Sequence, residues 1–228
     1  MKIVSWNCQG AFRKKYHILF ERLVADVYII QECEQPDNIV EKDFQTMVEN
    51  FNYKWIGNDR RKGLAVFSRV PITFEEYPSH DLDYFIPFVI DNRRYFAVWA
   101  KAPYIGAMLT YFSVYEVLLD SSTVIIGDFN SNVIWDKKHG YRNHSLLNER
   151  LEKLGLVSIY HNIFRERHGE ETLPTFFMSR HLDNTYHIDY AYASPNLVED
   201  IIIGEPSKWL AYSDHVPLTL TFQKEESK

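Results

Sequence analysis

Seven polar side chains stand at the ends of apolar runs: Asn7, Glu32, Asp128, Asn130, Asp189, Asp214 and His215. Four are carboxylates, two are carboxamides and one is an imidazole. Gathered at one rim, they would present hard oxygen donors suited to Mg2+ or Mn2+, ions that need few protein ligands because they keep several waters. An imidazole beside a carboxylate can be held as imidazolium and can donate to developing negative charge. The stretch 123–132 is central to this set. Thr123, Val124, Ile125 and Ile126 lead into Gly127, and Asp128, Phe129 and Asn130 follow. A short β-rich run without polar alternation reads as a fully buried strand. Polar groups at the end of such a strand lie where α/β folds build sites. Asp128 and Asn130 share strand parity, so both can point to one side while Phe129 packs on the other. Taken alone, the stretch fits a strand ending in a turn equally well, because Gly, Asp and Asn are ordinary turn residues. Asp189, inside an apolar run, is harder to read as bland, since a buried carboxylate without a partner costs roughly several kcal/mol.

The elements that must position these groups can be read from periodicity. A strand over 2–7 ends at Asn7. Residues 13–24 carry Tyr16, Leu19, Phe20 and Leu23 at helical spacing, and a buried strand over 26–32 ends at Glu32. Residues 36–51 are weakly helical. Short strands are expected over 53–56, 64–68, 72–76, 85–90 and 95–101, with Gly57-Asn58-Asp59, Val70-Pro71 and Asp91-Asn92 as turns. Their close spacing predicts an antiparallel portion rather than a purely parallel sheet. A buried helix is expected over 105–119. An amphipathic helix over 145–154 aligns Leu147, Leu151 and Leu154, and Gly155 stops it. Strands follow over 156–160, 186–193, 197–204 and 216–222, the last introduced by Ser213-Asp214-His215, while 161–175 reads as a polar loop. Residues 1–223 are expected to form a single domain, with 224–228 a charged, frayed tail.

Composition bounds the function. The 228 residues are 46% hydrophobic and 15% aromatic, enough for a substantial core. The net charge of −6 argues against a wholly basic nucleic-acid glove and leaves room only for a local basic patch. Cys8 and Cys33 form no C-x-x-C pair and read as reduced, partly buried thiols. The histidines are scattered, with no H-E-x-x-H, so their spacing offers no zinc cage. Asn7, Gln9 and Arg13-Lys14-Lys15 interrupt any signal-peptide core, and no stretch approaches a membrane span. A cytoplasmic, monomeric protein without a membrane partner is the expectation.

Six segments together resemble the endonuclease/exonuclease/phosphatase superfamily, the group containing exonuclease III, pancreatic deoxyribonuclease, inositol polyphosphate 5-phosphatases and sphingomyelinases. They are Ile3-Val4-Ser5-Trp6-Asn7, Ile29-Ile30-Gln31-Glu32, Gly63-Leu64-Ala65-Val66-Phe67-Ser68, Ile126-Gly127-Asp128-Phe129-Asn130, His187-Ile188-Asp189-Tyr190 and Ser213-Asp214-His215-Val216-Pro217-Leu218. They run nearly end to end in the family's order. The resemblance implies an α/β four-layer sandwich, with two mixed β-sheets face to face and helices on the outer faces. It also implies divalent-metal-dependent phosphoester hydrolysis by in-line water attack. By the same resemblance, Glu32 is the principal metal ligand, and Asn7 and Asp214 lie close to the metal or its waters. Asp128 activates or orients the water, Asn130 fixes the nucleophile or phosphate, His215 donates to a phosphate oxygen and Asp189 holds the His215 ring. Many relatives carry a histidine in the strand before the central one. Here that stretch reads Ala97-Val98-Trp99-Ala100-Lys101-Ala102-Pro103-Tyr104, and the imidazole is absent.

The substrate is less constrained. Arg60 and Arg61 precede the Gly63 strand in a loop that approaches the active-site rim in relatives, Lys101 and Tyr104 could contact phosphate in place of the missing histidine, and Trp135 lies in the loop after Asn130. Cations mixed with aromatics suit a phosphate backbone with stacked bases, although each also fits a solvated or packed surface residue. The leading expectation is a Mg2+-dependent nuclease (Mn2+ substituting) acting on DNA or RNA. A phosphatase or phosphodiesterase for a small nucleotide, inositol or sugar phosphate is the alternative, and a non-catalytic binding descendant is the third reading.

Overall fold

The computed structural model describes residues 1–78, 82 and 84–223. In chain order its strands are β1 (Lys2–Asn7), β2 (Val27–Cys33), β3 (Asn52–Asp59), β4 (Lys62–Ser68), β5 (Thr73–Phe74), β6 (Phe85–Ile90), β7 (Arg93–Trp99), β8 (Val124–Asp128), β9 (Val157–Ser158), β10 (Phe176–Phe177), β11 (Thr185–Tyr186), β12 (Asp189–Ala193), β13 (Val198–Ile203) and β14 (Leu218–Phe222). The helices are α1 (Tyr16–Arg22), α2 (Lys42–Val48), α3 (Ile105–Val114), α4 (Asp136–His139), α5 (His144–Lys153), α6 (Ile159–Phe164) and α7 (Pro206–Trp209). Two six-stranded mixed sheets form, in the orders β13-β14-β1-β2-β4-β3 and β5-β6-β7-β8-β12-β9, and β10-β11 makes a small separate hairpin.

Strand alternation decides what lies between the sheets. Ile3, Val27, Ile29, Leu64 and Val66 from the first sheet meet Ile86, Phe88, Tyr95, Ala97, Ile126, Ala191 and Ala193 from the second in one buried cluster. The opposite faces are covered by helices. Val4, Trp6, Tyr28, Ile30 and Phe67 pack under Leu19 of α1 and Phe44 of α2. Phe96, Val98, Ile125, Tyr190 and Tyr192 pack under α3 and α5 through Met108, Leu109, Leu147 and Leu151. Each fully buried apolar side chain contributes about 1.5–3 kcal/mol of transfer free energy. The result is the expected helix–sheet–sheet–helix sandwich.

Several elements differ from their sequence-based expectations. The strand expected over 156–160 is only Val157–Ser158, because Ile159 and Tyr160 bury themselves as the first turn of α6. The polar loop expected from 161 therefore begins as helix. The strand expected over 186–193 breaks at His187 and Ile188 into β11 and β12. The 105–119 helix ends at Val114 and tightens into a 3-10 turn over Glu116–Leu118. Residues 224–228, read as a tail, lie outside the described residues. Among the described residues no helix is long and apolar enough to cross a membrane.

Gly127 couples core to rim. It sits between Ile126 and Asp128 with φ 151°, opposite Val98 of β7, and a Cβ there would lie 1.9 Å from the Val98 carbonyl oxygen. Gly127→Ala is expected to destabilise the fold by about 3 kcal/mol or more, read as a lowered urea midpoint. An unchanged midpoint would show that β7 and β8 do not pack this closely.

Candidate active site

The row of residues pointing between the sheets is apolar along most of its length and turns polar at one rim. In β1 the row is Ile3, Ser5, Asn7; in β2 it is Val27, Ile29, Gln31; in β8 it is Val124, Ile126, Asp128. β12 enters the sheet at the same rim with Asp189, directly opposite Asp128 in the β8–β12 register. The site is thus the polar end of the same rows that make the core. Asn7 and Asp189 are 3% exposed and Asp128 is fully buried.

Each of the two facing carboxylates has its own partners. Asp128 Oδ2 accepts from Asn7 Nδ2 at 2.9 Å and from Asn130 Nδ2 at 3.0 Å, and Asp128 Oδ1 accepts from the Asn130 amide at 2.9 Å. A carboxylate has roughly four lone-pair sites, so room remains on Oδ1 for a water. Asp189 Oδ2 lies 2.8 Å from His215 Nδ1. A ring nitrogen of His215 and carboxylate oxygens of Asp128 and Asp189 all lie within 4.8 Å of one another. Burial and the facing Asp189 charge raise Asp128 to about 7, against the pull of His215 and the Asn7 amide. Burial alone would lower His215, but the Asp189 carboxylate, with Asp128 and Asp214 behind it, more than offsets this and raises the ring to about 9. At neutral pH the arrangement holds a cation on His215, with a carboxyl group of near-neutral basicity beside it.

The mouth of the site carries Glu32 and Asp214. Glu32 Oε2 pairs with the Lys62 ammonium. Asp214 Oδ2 accepts from Gln9 Nε2 at 2.7 Å, and Gln9 Oε1 in turn accepts from Arg180 at 2.5 Å. Burial raises Asp214 above its ordinary value. The local backbone is unusual: Gln9, Glu32 and Asn130 have φ of 54°, 57° and 48°. At Glu32 a bulge shifts the β2–β4 register between Gln31 and Cys33, so Cys33 joins the outer helix-covered cluster and Glu32 is freed from the strand alternation. Asn130 turns back onto Asp128 in the same left-handed conformation. Strained positions of this kind persist where the surrounding structure holds them and gather at functional sites.

A family model for the Endonuclease/Exonuclease/phosphatase family matches residues 4–215. The chain belongs to this family. Its class of chemistry is that of the family, the hydrolysis of phosphoesters. Among solved structures, a 3' phosphatase NExo from Neisseria bound to product DNA hairpin matches with TM-score 0.74 at 21% identity, covering 98% of this chain and 100% of that one. An AP endonuclease from Archaeoglobus fulgidus matches with TM-score 0.74 at 18% identity, over 98% of this chain and 100% of that one. These likenesses establish the fold. Recombination repair protein 1 of Drosophila melanogaster is 22% identical over 97% of this chain, which spans 37% of that relative's length.

The polar residues singled out in the sequence (Asn7, Asp128, Asn130, Asp189, Asp214 and His215, with Glu32 at the mouth) are brought together here. The residues expected to hold substrate are less uniform. Arg61 is bound by both oxygens of Asp59 in the exposed β3–β4 turn. Arg60 lines a surface depression with Arg13, Glu34 and Glu41. Lys62 is the cation of that run that reaches the site. Lys101 lies 3.9 Å from the Trp99 ring, at the end of the strand where many relatives carry a histidine, and Tyr104 stands exposed before α3. Trp135 packs against Tyr186 at 5.0 Å, and Phe176 links Tyr186 at 6.3 Å to His215 at 4.7 Å.

Several supporting residues were given no role in the sequence reading, although Gln31 and Ser213 lie within the family-like segments. Ser213 Oγ donates to the Asn7 carbonyl at 2.7 Å and accepts from the His215 amide at 3.0 Å. Thr175 Oγ1 accepts from the amides of Ile188 and Asp189, both at 3.0 Å. Gln31 is buried with Oε1 unpartnered beside the polar rim. The expectation of buried thiols holds for Cys8 and Cys33. Burial raises Cys8 to about 12, which keeps it protonated and unreactive.

His215 supplies a pH test. Its raised value means the stabilisation from the Asp189 pair is full below about pH 6.5, the ordinary histidine value, and is lost as pH rises through about 9. In Asp189→Asn, burial is opposed only by the Asp128 and Asp214 charges, so the ring should titrate well below its wild-type value. NMR of the imidazole in metal-free protein checks this, and an unchanged titration would remove Asp189 as the cause.

Proposed function

We propose that the chain is a divalent-metal-dependent nuclease, hydrolysing nucleic-acid phosphodiesters by in-line attack of water, with Mg2+ as the ion and Mn2+ able to substitute. The observation that carries this reading is the pairing of two differently tuned centres at one rim: Asp128 with its two amide donors, and His215 with Asp189. A purely binding protein has no need of a buried near-neutral carboxyl beside a buried imidazolium.

The donor chemistry fits a hard cation. Glu32, Asp214 and the Asn7 carboxamide offer oxygen, and Glu32 already pairs with a positive charge, that of Lys62. These residues would hold the ion, which when bound would neutralise phosphate charge and polarise a phosphoryl oxygen. The remaining steps belong to the chain itself. Asp128, steadied by Asn7 and Asn130, orients the attacking water and takes its proton. Asn130, whose Nδ2 also donates to the Ala100 carbonyl at 3.1 Å, keeps that carboxylate in one orientation. The second nitrogen of His215 donates to a phosphate oxygen as charge builds, and Asp189 keeps the ring charged and correctly turned.

Support for nucleic acid comes from the surroundings. The Trp135–Tyr186–Phe176 wall beside His215 offers ring faces to bases or sugars, while Lys62, Lys101 and Arg180 supply local cations on an acidic protein. A cleavage panel in Mg2+ tests the assignment, with single- and double-stranded DNA, abasic DNA, RNA, nucleotides, inositol phosphates and sphingomyelin as substrates. Cleavage of a nucleic acid, abolished by chelator, is the expected result. Turnover confined to small phosphoesters would overturn the nuclease reading, and full turnover in chelator would overturn the metal. Asp128→Asn should lower kcat by roughly 10²–10⁴-fold with the fold intact. Near-normal turnover in that variant would remove Asp128 from its role.

A further inference from the structure

Four of the nine histidines, scattered in sequence, meet on the outer side of β12, across the sheet from Asp128 and Asp189. Their scatter along the sequence, which offered no zinc cage by spacing, gave no sign of this meeting in space. His161 and His168 stack with ring centroids 3.5 Å apart, His144 lies 6.0 Å from His168, and His187 lies 5.9 Å from His161. Glu171 enters the same cluster, its Oε1 3.1 Å from His161 Nε2, and the two side chains are 5% and 8% exposed. Ligand atoms of His161, His168 and Glu171 all lie within 4.8 Å of one another.

We propose that His161, His168 and Glu171 form a metal site separate from the hydrolytic centre, selective for a transition-metal ion of the Zn2+ class, with the fourth position left to water. Three observations carry the assignment. First, the donors are mainly imidazole, which suits Zn2+ and its neighbours and not Mg2+. Second, ring nitrogens are left without partners in a buried place. They are His168 Nδ1, His187 Nε2 and His144 Nδ1, and His187 and His144 are 2% and 0% exposed. Buried polar atoms are ordinarily bonded, so orphans on His168 within the ligand set and on His187 and His144 around it leave imidazole donors free for a ligand. Third, the outer contacts that orient metal ligands are already in place. Ser158 Oγ lies 2.7 Å from His161 Nδ1, and Glu171 Oε1 accepts from Asn132 Nδ2 at 3.0 Å and the Gly169 amide at 2.9 Å.

The role that follows is a staple. His161 belongs to α6, and His168 and Glu171 to the segment leading to Thr175, whose hydroxyl holds the Asp189 amide. Asn132 joins the same cluster to the loop after Asn130, bonding Glu171, the His187 carbonyl and the Tyr190 hydroxyl. An ion here would tie both approaches to the catalytic rim onto the outer face of β12. The inference does not depend on the hydrolase reading.

Chelator-stripped protein titrated with Zn2+, and with Co2+ as a spectroscopic probe, tests the site with Mg2+ in large excess to occupy the oxygen-rich mouth. The expected result is one tightly held Zn2+ per chain and a Co2+ visible absorption of four-coordinate type. Both should be retained in Glu32→Gln and lost in His168→Ala. Glu171→Gln keeps the shape and should weaken Zn2+ binding by roughly 10-fold or more. Near-UV circular dichroism establishes that each variant is folded; if His168→Ala is not, His168→Gln replaces it. Zn2+ should raise the melting temperature of the wild type and not of the His168 variant. Zn2+ binding that Mg2+ displaces, that Glu32→Gln abolishes, or that the His168 variant retains unchanged would overturn the proposal.

Discussion

Two carboxylates face each other across a hydrogen-bonded strand pair under a closed sandwich, and the rest of the site depends on that confrontation. Asp128 and Asp189 occupy opposed positions of β8 and β12, both buried. Like charges this close in a low-dielectric place cannot both stay ionised without compensation. The fold solves this asymmetrically. Asp189 receives a histidine, and Asp128 receives two carboxamides and a backbone amide. One carboxylate thereby becomes the anchor of a cation, and the other becomes a base of near-neutral strength. A symmetric solution, with a cation on each, would leave no proton acceptor.

The asymmetry is held from outside the site. The anchor of His215 runs through Ser213 to the backbone of Asn7, and Trp6 Nε1 donates to the His215 carbonyl at 2.9 Å. The first and last strands of the first sheet, β1 and β14, are neighbours, so the two chain ends meet to build one half of the site. The second sheet supplies the other half. Beside the His215–Asp189 pair, Asn7 Nδ2 to Asp128 Oδ2 is a bond that crosses between them. Packing between the sheets and geometry at the rim are therefore one quantity, since a change in sheet separation would stretch that bond.

Much of this was legible in advance because strand parity is a local rule. A run of inward apolar residues that ends in a polar one, read at residues 3–7 and 124–128, predicts a polar rim without knowledge of the partner strand. The family motifs then ordered those rims into one site. Parity failed where the backbone left the regular conformation. Nothing in Ile30-Gln31-Glu32-Cys33 announces a bulge, yet the bulge frees Glu32 from strand alternation and sends Cys33 to the other face. Asn130 follows Asp128 on the same side, as parity predicts, but by a left-handed turn that brings it back onto the carboxylate. The run 156–160 was too short to separate strand from helix, and burial of Ile159 and Tyr160 decided for helix.

By itself the sequence determined the layered α/β architecture, the polar residues at strand ends and the class of chemistry. The elements and their polar ends follow from periodicity and residue type, which are properties of neighbours along the chain, whereas the layering and the class of chemistry follow from the resemblance of six segments to the family. Tertiary structure decided three other things: which carboxylate takes the imidazole, which cation of the Arg60-Arg61-Lys62 run reaches Glu32, and the assembly of His144, His161, His168 and His187 into one cluster. Each is a matter of distance between residues far apart in sequence or of side-chain direction in a turn. Hydrophobic spacing carries no record of either, because the burial that sets it is non-directional, whereas hydrogen bonds and ion pairs are short-ranged and depend on the final register.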